Sequence, residues 1–218
     1  MNLELYSFWR SSASYRVRIA LNLKALPYVT HAVDLVKEGG QQWLKQYQEV
    51  NPQSRVPTLV HDGQRFTQSL AIIEYLDETF PGVRLIPKDP VDRARVRMLS
   101  QIIASDIQPL QNASTTKYLK ETLHVDDAAV TMWLREWITR GLDAFNAHLE
   151  RDHLSGKFSH GDSPSMADCC LLPQMYVADR FGVPATKYPR LALIAEHCSS
   201  LPAFQHAHPS RQPDAEQQ

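Results

Sequence analysis

Apolar and polar positions follow different rhythms in the two parts of this chain. Residues 3–8 form a short apolar run, which reads as a strand. It breaks into the small hydroxyl residues Ser11, Ser12 and Ser14, and a helical pattern starts at once over 12–24, with Val17, Ala20, Leu21 and Lys24 at helical spacing. A second β-rich run at 28–33 follows Pro27, and a βαβ order with a crossover helix favours parallel pairing of the two strands. Gly39-Gly40 opens a polar stretch with an irregular helix over 41–47, and Asn51-Pro52 signals a turn. Residues 56–60 and 65–67 read as short strands around His61-Asp62-Gly63, a hairpin signal that admits two-residue and longer loops alike. Ser69 is placed to cap a helix with the apolar stripe Ile72, Leu76 and Phe80.

Beyond Pro81-Gly82 and a connector with Pro87 and Pro90, the rhythm is helical almost throughout, over 91–116, 126–149, 165–181 and 191–201. The pattern predicts an α/β domain over 1–82 followed by an all-α domain over 91–218. The last ten residues are polar, hold Pro209 and Pro213, and are expected to fray.

Composition narrows the class without adding chemistry. The 218 residues are 43% hydrophobic and 22% charged, ordinary for a globular protein. Lys+Arg 23 against Asp+Glu 24 leaves a net charge of −1, so neither nucleic acid nor an acidic or basic tail is indicated. No run of about 18 apolar residues predicts a membrane span. Glu4 and strand-like sequence at the start are unlike a secretory signal. Cys169, Cys170 and Cys198 cannot all pair and form no CxxC, so a reduced, cytosolic protein is expected, without structural zinc.

The chemistry concentrates where strands feed helices. A helix N-terminus holds free N–H groups and a partial positive charge, so the turn at Ser11-Ser12 favours an anion, and hydroxyls there can donate to it. A thiolate is a natural guest, because its formation near neutral pH needs such help; the turn itself carries no cysteine. Gln68-Ser69 sits at a second junction of the same kind, where a carboxylate could bind. Pro57 stands at the start of a strand that reads as interior. Either a cis bond precedes it, leaving the Val56 backbone facing outward to pair with a peptide, or it is an ordinary trans-Pro on an edge strand. Together these features suit a short peptide with a thiol at one end and carboxylates at the other.

Other candidates carry less. His206-Ala207-His208 lacks a third ligand nearby, so no metal site is expected among the nine histidines. There is no Gly-x-Ser-x-Gly elbow and no glycine-rich phosphate loop. Cys169 and Cys170 read as buried core, Ser165 and Asp168 as a capping box, and Trp133 and Trp137 as a helix face.

Those features, with Arg10-Ser11-Ser12-Ala13-Ser14-Tyr15-Arg16, Gly39-Gly40-Gln41-Gln42, Val56-Pro57-Thr58-Leu59, Gln68-Ser69-Leu70-Ala71-Ile72-Ile73, Ile107-Gln108-Pro109-Leu110-Gln111-Asn112, Met166-Ala167-Asp168 and Gln212-Pro213-Asp214, resemble the cytosolic glutathione transferases. Within them the chain is similar to the zeta class, the maleylacetoacetate isomerases with a sister activity on maleylpyruvate. The resemblance implies a thioredoxin-like N-terminal domain, an all-α C-terminal domain, glutathione as cofactor, a homodimer and a cytoplasmic location. It implies cis–trans isomerisation of a maleyl dicarboxylate in tyrosine or aromatic-acid catabolism. Glutathione thiolate adds to the double bond, the resulting single bond rotates, and expulsion of the thiolate gives the trans product.

By the same resemblance Ser11 and Ser12 stabilise the thiolate, and Ala13, Ser14, Tyr15 and Arg16 surround the thiol and the helix start. Gln42 reaches the glycyl end, Val56 with Pro57 pairs with the cysteinyl backbone, and Gln68 and Ser69 hold the γ-glutamyl group. Gln108 and Asn112 come from the first long helix of the second domain. On local sequence those two are equally surface amides. Arg10 and Arg180 take the substrate carboxylates, since a guanidinium holds a carboxylate through two bonds. The class often carries Cys where this chain has Ala13, which removes cysteine-dependent side chemistry more than it touches isomerisation. The rival readings are maleylpyruvate isomerisation, a broad transferase or dehalogenase, and a ligand-binding protein that keeps only the fold.

Overall fold

The computed structural model describes residues 2–217, without the side chains of 38, 216 and 217. The chain divides into two compact units, Met1–Leu85 together with Ser199–Gln218, and Ile86–Cys198.

In the first unit four strands, β1 (Leu3–Ser7), β2 (Val29–Ala32), β3 (Thr58–His61) and β4 (Gln64–Thr67), form one sheet in the order β2-β1-β3-β4. β1 pairs parallel to β2, as the crossover helix α1 (Ser12–Leu23) requires, and antiparallel to β3. Leu3, Leu5 and Ser7 alternate into the interior from β1. β3 and β4 close as a hairpin with His61 opposite Gln64, so the loop is Asp62-Gly63 alone. Both residues have positive φ, 46° and 84°, the twist that two-residue hairpins favour. The polar stretch between β2 and β3 holds only short turns and the one-turn helix α2 (Lys45–Gln48). Helix α3 (Ser69–Thr79) follows β4 and packs beside α1.

The expected apolar stripe on α1 is only part of its buried surface. Every residue from Ser14 to Leu21 is buried, including Arg16 and Arg18. Helix α3 covers one side, and the C-terminal segment, which the boundary 91–218 places in the helical domain, covers another. Helix α10 (Pro202–Ala207) lies against α1, with Asn22 Nδ2 donating to Ala203 O at 2.9 Å and Arg18 Nε to Ala207 O at 3.0 Å. Where fraying is expected, the described residues around Gln212 are held. Gln212 is buried and donates to His206 O and His208 O at 2.8 and 3.0 Å.

The second unit is helical: α4 (Pro90–Gln101), α5 (Gln108–Gln111), α6 (Ala113–Glu121), α7 (Asp127–Asp152), α8 (Met166–Arg180) and most of α9 (Pro189–Ser200). The single helix predicted over 91–116 is interrupted. Ile102–Ile107 is a π-helical segment just before Pro109, which lacks the N–H that would continue an α-helical ladder. Gly141 on α7 accommodates this bulge: a Cβ there would lie 2.1 Å from the Ile107 side chain. Arg95 anchors the loop after α7 through Asp152 Oδ1 (2.9 Å) and Ser159 O (2.8 Å). Burial alone would raise the Asp152 carboxyl, but the hydrogen bonds and charge of Arg95 bring it below the ordinary carboxylate range.

Candidate active site

Strand pairing brings three of the sequence-predicted segments of the first unit to one end of the sheet. Tyr6 near the end of β1 faces Thr58 at the start of β3, and Thr58 faces Thr67 at the end of β4. The segments that continue from these three positions carry Trp9 to Ser12, Val56-Pro57 and Gln68-Ser69. Residues about fifty positions apart along the chain are thereby gathered by register alone.

At the first of these junctions Ser11 is the N-cap of α1, with φ −67° and ψ 120°, and its hydroxyl accepts the Ser14 N–H at 3.2 Å. The carbonyl of Ser11 takes the Tyr15 N–H at 2.9 Å. The N–H groups of Ser12 and Ala13 have no partner within the described residues, and neither has the half-buried Ser12 hydroxyl. No acidic side chain occupies the first turn. This is an anion site with donors to spare. Arg10 stands beside it, its guanidinium 5.3 Å from the centre of the Trp9 ring and in no ion pair with any described residue.

Ser14, Tyr15 and Arg16 lie deeper than the sequence reading places them. All three are buried, and the Tyr15 ring meets His208 edge to face. Arg16 Nη1 donates to Ser69 Oγ at 3.1 Å, tying α1 to α3.

The second junction differs from expectation. Ser69 is the first residue of α3 rather than its cap, and its hydroxyl serves Arg16. Gln68 holds the cap position without a side-chain cap bond, at φ 66° and ψ 112°, a strained conformation for a residue with a Cβ. Its Nε2 reaches Gln53 Oε1 at 3.0 Å. The Val56-Pro57 bond is cis, and the Val56 backbone makes no hydrogen bond within the described residues. Gln42 folds its carboxamide over Gly40, where a Cβ would lie 2.5 Å from it, and its Oε1 is buried without a partner.

Gln108, Asn112 and Arg180 belong to the second unit. Gln108 begins α5. Asn112 caps α6, its Oδ1 accepting the Ser114 N–H at 3.0 Å. Arg180 is exposed at the end of α8, its guanidinium 5.7 Å from the Phe181 ring.

The discounted residues are packing elements. The three cysteines are buried, and burial pushes the Cys169 and Cys198 thiols up, away from reactivity. Asp168 accepts from Ser165 N and Ser165 Oγ, both at 2.8 Å, and from Ser159 N at 2.7 Å, all within its own corner of the fold.

Sequence reasoning missed Arg18 and Asp214. Arg18 is fully buried and donates to Ser7 Oγ, Phe8 O and Trp9 O; Asp214 Oδ2 accepts the Trp9 N–H at 2.8 Å. Two arginines spaced by one in an otherwise apolar helix were the available sign that one of them is buried and committed.

Residues 5–84 match the glutathione S-transferase N-terminal domain. A probable maleylacetoacetate isomerase of Vibrio cholerae is 45% identical over 99% of this chain and 99% of its own. Among solved structures, the holo form of a bacterial zeta-class maleylpyruvate isomerase superposes with a TM-score of 0.94 at 44% identity, covering 97% of this chain and 99% of that one. A maleylacetoacetate isomerase of Methylobacterium extorquens with bound malonate and glutathione gives 0.93 at 39% identity, with the same coverage. A likeness of this extent, over both units and the whole length, makes the chain a member of the zeta-class glutathione transferases, the family of maleylacetoacetate and maleylpyruvate isomerases.

Proposed function

We propose that this protein is a glutathione-dependent cis–trans isomerase that converts maleylacetoacetate to fumarylacetoacetate. The observation that carries the reading is the open start of α1, where the N–H groups of Ser12 and Ala13 and the Ser12 hydroxyl have no partner among the described residues and Arg10 forms no ion pair. Those donors fit glutathione, as do the unpaired Val56 backbone and the buried, partnerless Gln42 Oε1. When bound, glutathione supplies a thiolate whose reversible addition to the cis double bond permits rotation to trans.

The chain's own residues do the rest. Ser12 donates to the sulfur, the first turn of α1 adds its partial charge, and Ser11 holds that turn by capping it. Val56 offers its backbone as a strand would. Gln68 and Ser69 stand at a second helix start suited to a carboxylate, and Gln42 to the other end of the tripeptide. Arg10 fixes a carboxylate of the substrate; in the second unit Arg180, Gln108 and Asn112 are the remaining candidates for ligand contacts. Ala13 leaves the turn without a thiol of its own, so the nucleophile is the one glutathione brings.

Maleylpyruvate is the second reading, favoured by the likeness to the maleylpyruvate isomerase noted above. Initial rates on both maleyl compounds and on a chlorinated acid, each at saturating glutathione, test the assignment. Faster turnover of the chlorinated acid than of either maleyl substrate would reject it.

The protein is further proposed to be a cytoplasmic homodimer. No helix among the described residues is long and apolar enough to cross a membrane. Val91 and Met98 on α4 and Met132 on α7 are exposed apolar groups on helices of the second unit. Obligate dimers commonly bury more than about 2,000 Å². Light scattering at micromolar concentration should give twice 24.8 kDa.

A further inference from the structure

The turn that carries Arg10, Ser11 and Ser12 does not hold itself. The peptide group joining Phe8 to Trp9 is bonded at both ends: its carbonyl accepts from Ser11 N at 3.0 Å and Arg18 Nη1 at 3.3 Å, and its N–H donates to Asp214 Oδ2 at 2.8 Å. The next peptide group is held through Trp9 O, which accepts from Arg18 Nη2 at 2.9 Å. The same guanidinium donates to Ser7 Oγ and Ala207 O, both at 3.0 Å. Two consecutive peptide planes, immediately before Arg10, are thus fixed by a buried arginine from α1 and a carboxylate from the far end of the chain.

We infer that the C-terminal segment 202–214 is a working part of the active turn, and that Asp214 is a positioning residue for the isomerisation. Asp214 touches no reacting atom. It sets the plane of the Trp9 amide, and with it the direction in which Arg10 leaves the strand and the first turn of α1 begins. Reacting groups lose about 100-fold in rate for a misplacement on the order of 1 Å, so a turn that presents both the thiolate donor and the substrate cation gains from being fixed on two sides.

Charge supports the same geometry. Burial brings the Arg18 guanidinium down to about 10, while Tyr28 and then Asp214 work in the opposite direction. Arg18 therefore stays a cation at neutral pH and keeps its donors for Phe8 O and Trp9 O as well as for Ser7 Oγ and Ala207 O.

The inference rests on the reading of this turn as the thiolate site, and the test separates the two. Full-length Asp214→Ala, Asp214→Asn and Asp214→Glu are compared with wild type by steady-state rates on maleylacetoacetate, by ultraviolet titration of the bound glutathione thiol, and by thermal melting. Asp214→Ala should lower kcat by about 10- to 100-fold and move the thiol titration to higher pH, with KM for glutathione changed by less than about threefold. Asp214→Asn keeps a carbonyl acceptor for the Trp9 N–H and should recover kcat to within about threefold of wild type. Asp214→Glu keeps the charge and shifts it by one methylene, so it reads geometry even where the alanine variant fails to fold, and it should slow turnover at unchanged melting temperature. Wild-type kcat in Asp214→Ala or Asp214→Glu, or an Asp214→Asn variant as slow as Asp214→Ala, would overturn the positioning role. Normal turnover and an unshifted thiol titration in the double variant Ser11→Ala/Ser12→Ala would instead reject the thiolate site itself.

Discussion

Two helix starts lie at the same end of the sheet, and they are built in opposite ways. At α1 the cap is relaxed: Ser11 sits in ordinary extended backbone and satisfies the Ser14 N–H, while Ser12 is left without a partner among the described residues. At α3 the cap position is strained: Gln68 has φ 66° and caps nothing with its side chain, and the Ser69 hydroxyl is committed to a buried arginine. On the proposed reading, the first start would keep an uncommitted donor for a group whose charge changes during the reaction. The second would serve a group whose charge stays constant. A sulfur that gains and loses charge needs the former, and a carboxylate is served by the latter.

The contrast is sharpened most by Ser12→Ala. Losing a donor to a reacting anion typically costs about 2.7–4 kcal/mol, so kcat at saturating glutathione should fall about 100- to 1,000-fold, with little change in melting temperature. Normal turnover would shift the work to Ser11 and the backbone. Next comes Arg10→Lys, which keeps the charge beside α1 but loses the fork. A charge-assisted bond is worth roughly 1.5–3 kcal/mol, so KM for the maleyl substrate should rise by about 10-fold or more at unchanged glutathione affinity. An unchanged KM would take Arg10 out of substrate binding.

At α3 the effects should be smaller and of another kind. Ser69→Ala should weaken glutathione binding several-fold with kcat within about twofold of wild type. It should also lower the melting temperature, because the Arg16 Nη1 donor loses its buried acceptor, at about 1–3 kcal/mol. A kcat loss as deep as that of Ser12→Ala would erase the distinction between the two starts. The smallest test compares glycine at the two caps. Gln68→Gly relieves positive-φ strain worth about 1–3 kcal/mol and should raise the melting temperature by a few degrees while weakening glutathione binding. Ser11→Gly costs only a few tenths of a kcal/mol and should leave melting within about 1 °C. Equal shifts at both positions would mean that the Gln68 backbone stores no strain.

Local sequence carried much of this protein. The short apolar run over 3–8 gave β1, Asp62-Gly63 gave a hairpin, and the hydroxyl residues at 11 and 12 marked a helix start, because caps, turns and short apolar runs act over a few residues. The Ser165-Asp168 box and the buried cysteines were legible for the same reason. The break of the first long helix was not, although Pro109 stood in plain view: whether a proline ends a helix or only bulges it depends on what packs beside it, here Gly141 against Ile107.

What tertiary structure decided is how the turn is held. α1 reads as a one-sided amphipathic helix because periodicity reports a helix's own pattern and not the segments that will cover it. α10 meets Arg18 and α3 meets Arg16, so both arginines are buried along with the apolar stripe. Gln68 carries no mark of positive φ; register and the Arg16–Ser69 bond place it there. The bond from Trp9 to Asp214 spans 205 residues. Sequence determined which residues could serve an anion, since that follows from side-chain chemistry and local backbone. Only the folded chain determined which of them stay free to do so, because that depends on which donors the interior has already claimed.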